Sequence, residues 1–213
     1  MSYVADVATL ARKDLLLELR AKETLPAMVL FVVASLTIFH FALPTGSGDV
    51  AAKGLLWVAI VFTALLGLTR AFVAEREQGL MDALVLAPND RSAIWMAKSI
   101  AVLAYLISAE LVALPAFALF FSAVDRDTVV AVALADVGIC TVGTLLGAMA
   151  VAARARELVL PLLFLPLAIP IVVGGVGASV GEGSQFLLFL ALYDAIFALL
   201  AWAAFEYVVA EAV

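Results

Sequence analysis

The sequence predicts an all-α integral membrane protein with six transmembrane helices, and two observations carry that prediction. Two-thirds of its 213 residues are hydrophobic and only 14% are charged, too few polar side chains to cover a water-soluble domain of this size. The apolar residues also fall into six long runs, and each reaches the roughly 20 residues a helix needs to cross about 30 Å of hydrocarbon. The runs are Leu25–Leu43, Gly54–Phe72, Ser99–Ala123, Val129–Ala153, Leu158–Val180 and Phe186–Val209. A barrel strand would need only about 10 residues, so run length selects helices. Six spans and their connectors consume almost the whole chain, which reads as one membrane domain over residues 1–213.

Residues 1–22 precede the first span and are charged throughout, unlike a cleavable signal peptide. On a helix, Asp6, Lys13 and Arg20 share a stripe opposite Val4, Ala8, Ala11, Leu15 and Leu19, with Asp14 and Glu18 interrupting the apolar side. The pattern predicts a helix lying at the membrane interface rather than a seventh span; an ordinary cytoplasmic segment is the alternative.

Orientation follows from the cations. With the N-terminus inside, Arg12, Lys13, Arg20, Lys22, Arg70, Arg76, Arg91, Lys98, Arg154 and Arg156 are cytoplasmic, and only Lys53 and Arg126 lie outside. That ten-to-two division predicts cytoplasmic termini for an even number of spans. The outer connectors are then Pro44–Lys53, Val124–Thr128 and Gly181–Gln185, all short. Inside, Arg154–Glu157 is a tight turn, whereas Val73–Lys98 is long and charged. Within it, Leu80 and Leu84, with Ala83 and Ala87, form the apolar face of a short helix stopped at Pro88. Asn89 or Asp90 is placed to cap the third span. Charged Glu75, Arg76, Glu77 and Asp82 surround an apolar patch, which suits docking into a groove of a soluble partner better than a merely solvated connector.

Several function classes are disfavoured. The stretch ending at Lys98-Ser99 has Ser92 and Ala97 where a phosphate-binding loop needs glycines, so the chain has no P-loop for ATP. There is no His-Glu-x-x-His motif, and His40 is the single histidine available for acid–base work. Cys140 stands alone in an apolar run, without metal-ligand spacing. The expectation is a non-enzymatic membrane subunit with no catalytic residues, no bound metal and no nucleic-acid partner.

Inside the spans, Glu110, Asp136 and Asp194 are costly in hydrocarbon and mark inward faces. They either line a polar cavity or moving interface, or are protonated carboxyls hydrogen-bonded to a neighbouring helix. Gly143 and Gly147 form a G-x-x-x-G pair that permits close helix contact, within the subunit or across a dimer. Pro161, Pro166 and Pro170 are expected to kink the fifth span, with Gly174, Gly175 and Gly177 extending the irregularity outward, so this span is expected to face the bundle interior.

Certain stretches resemble the heme exporter protein B (CcmB) family. They are Arg12-Lys13-Asp14 with Leu25-Pro26, Gly54-Leu55-Leu56-Trp57-Val58, Glu75-Arg76 ahead of Gly79, the run Leu84-Val85-Leu86-Ala87-Pro88, and Leu160-Pro161 with Leu165-Pro166-Leu167-Ala168-Ile169-Pro170-Ile171. The resemblance implies an ABC-2 type permease of the bacterial inner membrane, acting in cytochrome c maturation. It further implies a homodimer with a separate CcmA-like ATPase, a CcmC-like heme-handling protein, a small CcmD-like subunit and a CcmE-like heme chaperone. ATP and Mg would sit on the ATPase, and heme would be handled by the complex rather than held here as a resident cofactor. On that view residues 1–22 are the interfacial helix and 74–90 the coupling helix, with Glu75, Arg76, Gly79, Leu80, Leu84 and Pro88 facing the ATPase. His40, near the outer end of the first span, is then either a ligand to heme iron or an ordinary polar tip. A permease exporting a lipid, drug or glycan, and a non-transporting scaffold, are the competing expectations.

Overall fold

The computed structural model describes residues 3–44, 49–71, 90–152, 156–181 and 183–211. They form seven helices and, among the described residues, no strand: α1 (Tyr3–Ala21), α2 (Thr24–Ala42), α3 (Asp49–Arg70), α4 (Arg91–Phe120), α5 (Arg126–Ala152), α6 (Arg156–Val180) and α7 (Gly183–Glu211). The last six are each long and apolar enough to span a membrane. Two boundaries differ from the hydropathy reading by more than three residues. Helix α4 begins eight residues before Ser99, and α3 begins at Asp49 and so takes in Lys53. Apolar runs mark the depth of hydrocarbon; the helix continues past it wherever a cap is available. Asp90 supplies that cap for α4, its carboxylate accepting from Ser92 N at 2.9 Å.

Helix α4 is the centre of the bundle, packing on α1, α2, α3, α5 and α7, while α5 packs on α3, α4, α6 and α7. The core runs between them through Met28, Leu36, Leu56, Trp57, Leu106, Phe117, Ile139, Phe164, Ile171 and Leu190, all essentially inaccessible. Large apolar side chains also face outward along the spans, including Leu30, Phe41, Leu111, Leu119, Leu162 and Leu199. Lipid rather than water is the solvent that suits such a surface.

Helix α6 runs without interruption from Arg156 to Val180, through all three prolines. The expected irregular stretch at Gly174, Gly175 and Gly177 is therefore corrected: these glycines are close-packing positions on a continuous helix. A Cβ at Gly175 would lie 2.4 Å from the Trp57 ring, one at Gly174 would lie 2.8 Å from Leu190, and one at Gly177 would lie 2.5 Å from Phe186. Nor is α6 enclosed: Leu160, Phe164, Ala168 and Ile171 face the core, while Leu158, Leu162, Ile169 and Val173 are exposed. Trp57 cannot easily yield, because it is fully buried and its Nε1 donates to Ser179 Oγ at 3.1 Å. Gly175→Ala is thus expected to destabilise the protein by about 1–3 kcal/mol, read as a lowered Tm of the purified protein.

At the end of the bundle away from α1, Lys53 binds Asp125 at 2.9 Å and also donates to the Ser179 carbonyl, tying α3, the α4–α5 turn and α6 together. Partial burial works against the charge of Asp125, but the hydroxyl and backbone amide of Thr128, together with Lys53, outweigh it and hold the carboxyl below its usual range. The chain turns from α1 into α2 at Lys22, whose φ of 54° is left-handed.

Candidate functional site

The residues 74–90 read as a docking element lie almost wholly outside the described residues; Glu75, Arg76, Gly79, Leu80, Leu84 and Pro88 all do. The structure does describe the frame from which that connector hangs. It leaves α3 after Ala71 and returns at Asp90; a side chain from α4 holds the first end, and Asp90 at the second accepts from Ser92 N and Oγ. Lys98, about two turns into α4, donates from Nζ to the Ala71 carbonyl at 2.8 Å. The same ammonium lies 3.1 Å from Asp14 Oδ2 on α1, and Lys13 lies 3.0 Å from the other oxygen. Lys98 and Asp14 are only 5% and 8% exposed, so this is a buried ion pair. Tyr105 OH donates to the Asp14 carbonyl at 3.2 Å, and Ser92 Oγ lies 3.3 Å from Tyr3 OH.

Helix α1 therefore runs beside the first half of α4, burying Val7 and Ala11 against Ala93 and Ala97. Of Val4, Ala8, Ala11, Leu15 and Leu19, only Ala11 is buried, with Leu15 half-buried; Val4, Ala8 and Leu19 are exposed. The packed side is Val7, Ala11 and Asp14, spaced four and three residues apart. An acid was legible as a flaw in the apolar face because its partner, Lys98, lies 84 residues away. On the opposite flank of α4, Ile94 and Trp95 pack with Ala148, Ala201 and Phe205, and Trp95 Nε1 donates to the Thr141 carbonyl at 3.3 Å. Arg70 and Glu23, at 3.3 Å, add an exposed ion pair worth at most about 1 kcal/mol.

The intramembrane acids do not form one cluster. Glu110 of α4 and Asp136 of α5 are both buried and lie near each other where those two helices pack. Asp194 of α7 stands on another face of α5, with Oδ1 2.6 Å from where a Gly138 Cβ would be. Gly143 receives Leu68 of α3, so it serves contact within the chain, and Gly147 is also buried. His40 is exposed, with its ring 5.3–5.6 Å from those of Phe41, Phe120 and Phe121. Among the described residues no group of three or more His, Cys, Asp or Glu side chains is placed to hold a metal.

The fold and frame together define a multi-pass helical membrane subunit, with a long connector anchored between its second and third spans. Comparison with known proteins places that class more narrowly. The profile of the CcmB protein family matches residues 5–211. Heme exporter protein B of Bradyrhizobium diazoefficiens is 29% identical over 181 residues, covering 81% of this chain and 80% of that protein. Heme exporter protein B of Pseudomonas aeruginosa is 30% identical over 174 residues, covering 79% and 78%. The chain belongs to the CcmB family.

Proposed function

We propose that this chain is the transmembrane permease subunit of an ABC transporter complex in cytochrome c maturation, converting ATP hydrolysis on a separate subunit into motion of its spans. The observation that carries this reading is the frame: a buried lysine ties the exit of the long connector to α1 and α4 at once. Force delivered to residues 72–89 would then reach α3 and α4 as one body, because those two helices cannot separate there without breaking the Lys98 contacts. Family membership supports a heme-related role, and the sequence offers no P-loop of its own, so nucleotide and Mg belong on the partner.

In this reading the partners are a CcmA-like ATPase at the connector, CcmC-like and CcmD-like membrane proteins, a CcmE-like heme chaperone and a second copy of the chain. The protein sits in a bacterial inner membrane with both termini cytoplasmic, as one ABC-2 type domain. Helix α1 lies at the inner interface: its exposed Val4, Leu16 and Leu19 are available to lipid, with Arg12 and Arg20 exposed beside them.

The test is to purify the complex from native membranes through this chain and identify bound subunits and heme by mass spectrometry. Co-purification of an ATPase together with heme-handling proteins is expected. An ATPase without them would favour a permease for another cargo, and no ATPase at all would contradict the proposal. Orientation has its own check: a reporter active only in the cytoplasm is expected to work after Val213 and near Gly79 and to be silent near Gly48. Activity near Gly48 would reverse the topology.

A further inference from the structure

On the side of α1 away from α4, cations alternate with leucines. Val7, Ala11 and Asp14 face α4. Opposite them Arg12, Leu16 and Arg20 recur every four residues, a spacing that stacks side chains on one helix face. All three are exposed, and so is Leu19 beside them. Two residues past Arg20 the chain turns at Lys22, also exposed, and α2 begins at Thr24. Leu30, Ile38 and Phe41 then continue outward as the exposed apolar face of the first span. Lys22 thus stands where that apolar surface starts.

These cations differ from their neighbours. Lys13 and Lys98 are engaged with Asp14, and Arg70 with Glu23. Among the described residues, Arg12, Arg20 and Lys22 make no ion pair and no side-chain hydrogen bond. Lys22 is also in a costly conformation. Its φ of 54° is left-handed, alone in this among the described non-glycine residues, and it occupies the position after a helix that glycine usually takes. The dipole of α1 favours a cation at its C-terminal end, which accounts for Arg20. It does not account for a lysine in a backbone conformation that glycine adopts without strain.

An acidic protein segment would match the charges and leave Leu16 and Leu19 unmatched. An anionic phospholipid matches both: its phosphate takes the guanidinium and ammonium groups, and its acyl chains take the leucines and the exposed face of α2. We propose that the α1–α2 elbow is a binding site for an anionic phospholipid, with Arg20 and Lys22 on the headgroup and Leu16 and Leu19 against the acyl chains. Arg12, about 12 Å back along the helix, meets a neighbouring headgroup. This inference rests on the placement of α1 at the inner interface and is independent of the ATPase and of the cargo. Because Asp14 of the same helix is held by Lys98, a lipid bound here also steadies the frame from which the long connector hangs.

Native mass spectrometry of the full chain, released from detergent micelles holding phosphatidylglycerol and phosphatidylcholine with the same acyl chains, tests this. Preferential retention of phosphatidylglycerol is expected, and Arg20→Gln and Lys22→Gln should each weaken it about five-fold. Lys22→Gly separates charge from backbone: it should lose as much lipid as Lys22→Gln while melting no lower than the wild type. Equal retention of both lipids, or parent retention in both glutamine variants, would overturn the site. Displacement of the lipid by glycerol phosphate in excess would show that an anion alone is bound and would overturn the phospholipid. A fluorophore on Leu19→Cys, in vesicles with brominated acyl chains, checks the underlying placement. Quenching whatever the headgroup is expected; its absence would contradict α1 at the interface, whereas quenching without phosphatidylglycerol preference would contradict the anionic site alone.

Discussion

Lys98→Met is expected to lower the Tm of the purified protein by roughly 5–10 °C, corresponding to about 3 kcal/mol for a chain of this size. Three losses combine. Asp14 keeps its charge in a site where it is 8% exposed, with only the half-exposed Lys13 to offset it. The Ala71 carbonyl at the end of α3 loses the Lys98 donor. The remaining apolar contact between α1 and α4 has only the small side chains of Val7, Ala11, Ala93 and Ala97 fully buried, with Leu10 and Met96 partly buried against them. A second substitution separates lost charge pairing from lost shape. Breaking one partner of a buried pair is costly, whereas replacing both by apolar groups is often nearly neutral. Asp14→Leu combined with Lys98→Met should therefore recover most of the lost Tm. If Lys98→Met melts with the wild type, the frame is not held by this pair.

Leu84→Asp is expected to weaken association with the proposed ATPase partner more than tenfold while leaving the six spans inserted. The sequence places Leu84 in the apolar patch of the proposed docking segment, residues 74–90. A leucine buried in a partner's groove contributes about 1.5–3 kcal/mol, and a carboxylate placed there must be desolvated as well, so the change exceeds the 1.4 kcal/mol of a tenfold effect. Gly79→Val should act in the same direction, because it removes glycine's backbone freedom from the proposed docking segment. Co-purification of the ATPase with each variant is the measurement; wild-type recovery with both would remove residues 74–90 from the contact.

The spans were legible because hydropathy and length are properties of single segments. The start of α4 was half legible: Asp90 was recognised as a cap, yet Lys98 kept residues 91–98 in the connector, since a cation argues against a span. Its burial depends on Asp14 and on the Ala71 carbonyl, and no window along the chain contains all three. The signal that could have found the pair was two misplaced charges of opposite sign, an acid on the apolar side of α1 and a lysine at the mouth of α4. The acids show the same limit. Glu110 and Asp136 each announced an inward face, but uniformly apolar helices carry no information about mutual rotation, so their proximity and the separation of Asp194 emerge only from the packed bundle. The glycines of α6 were misread because proline suggested a break. Their value lies in the rings of Trp57 and Phe186 and the side chain of Leu190 that rest on them.

The central claim is that an ATPase outside this chain moves its spans through the connector. ATP hydrolysis by the partner ATPase, measured alone and after reconstitution with this chain in lipid nanodiscs, tests it most directly. Hydrolysis is expected to rise with the wild-type chain, and the Lys98→Met and Leu84→Asp variants should each remove most of that rise. Equal hydrolysis with and without the chain would contradict the coupling role.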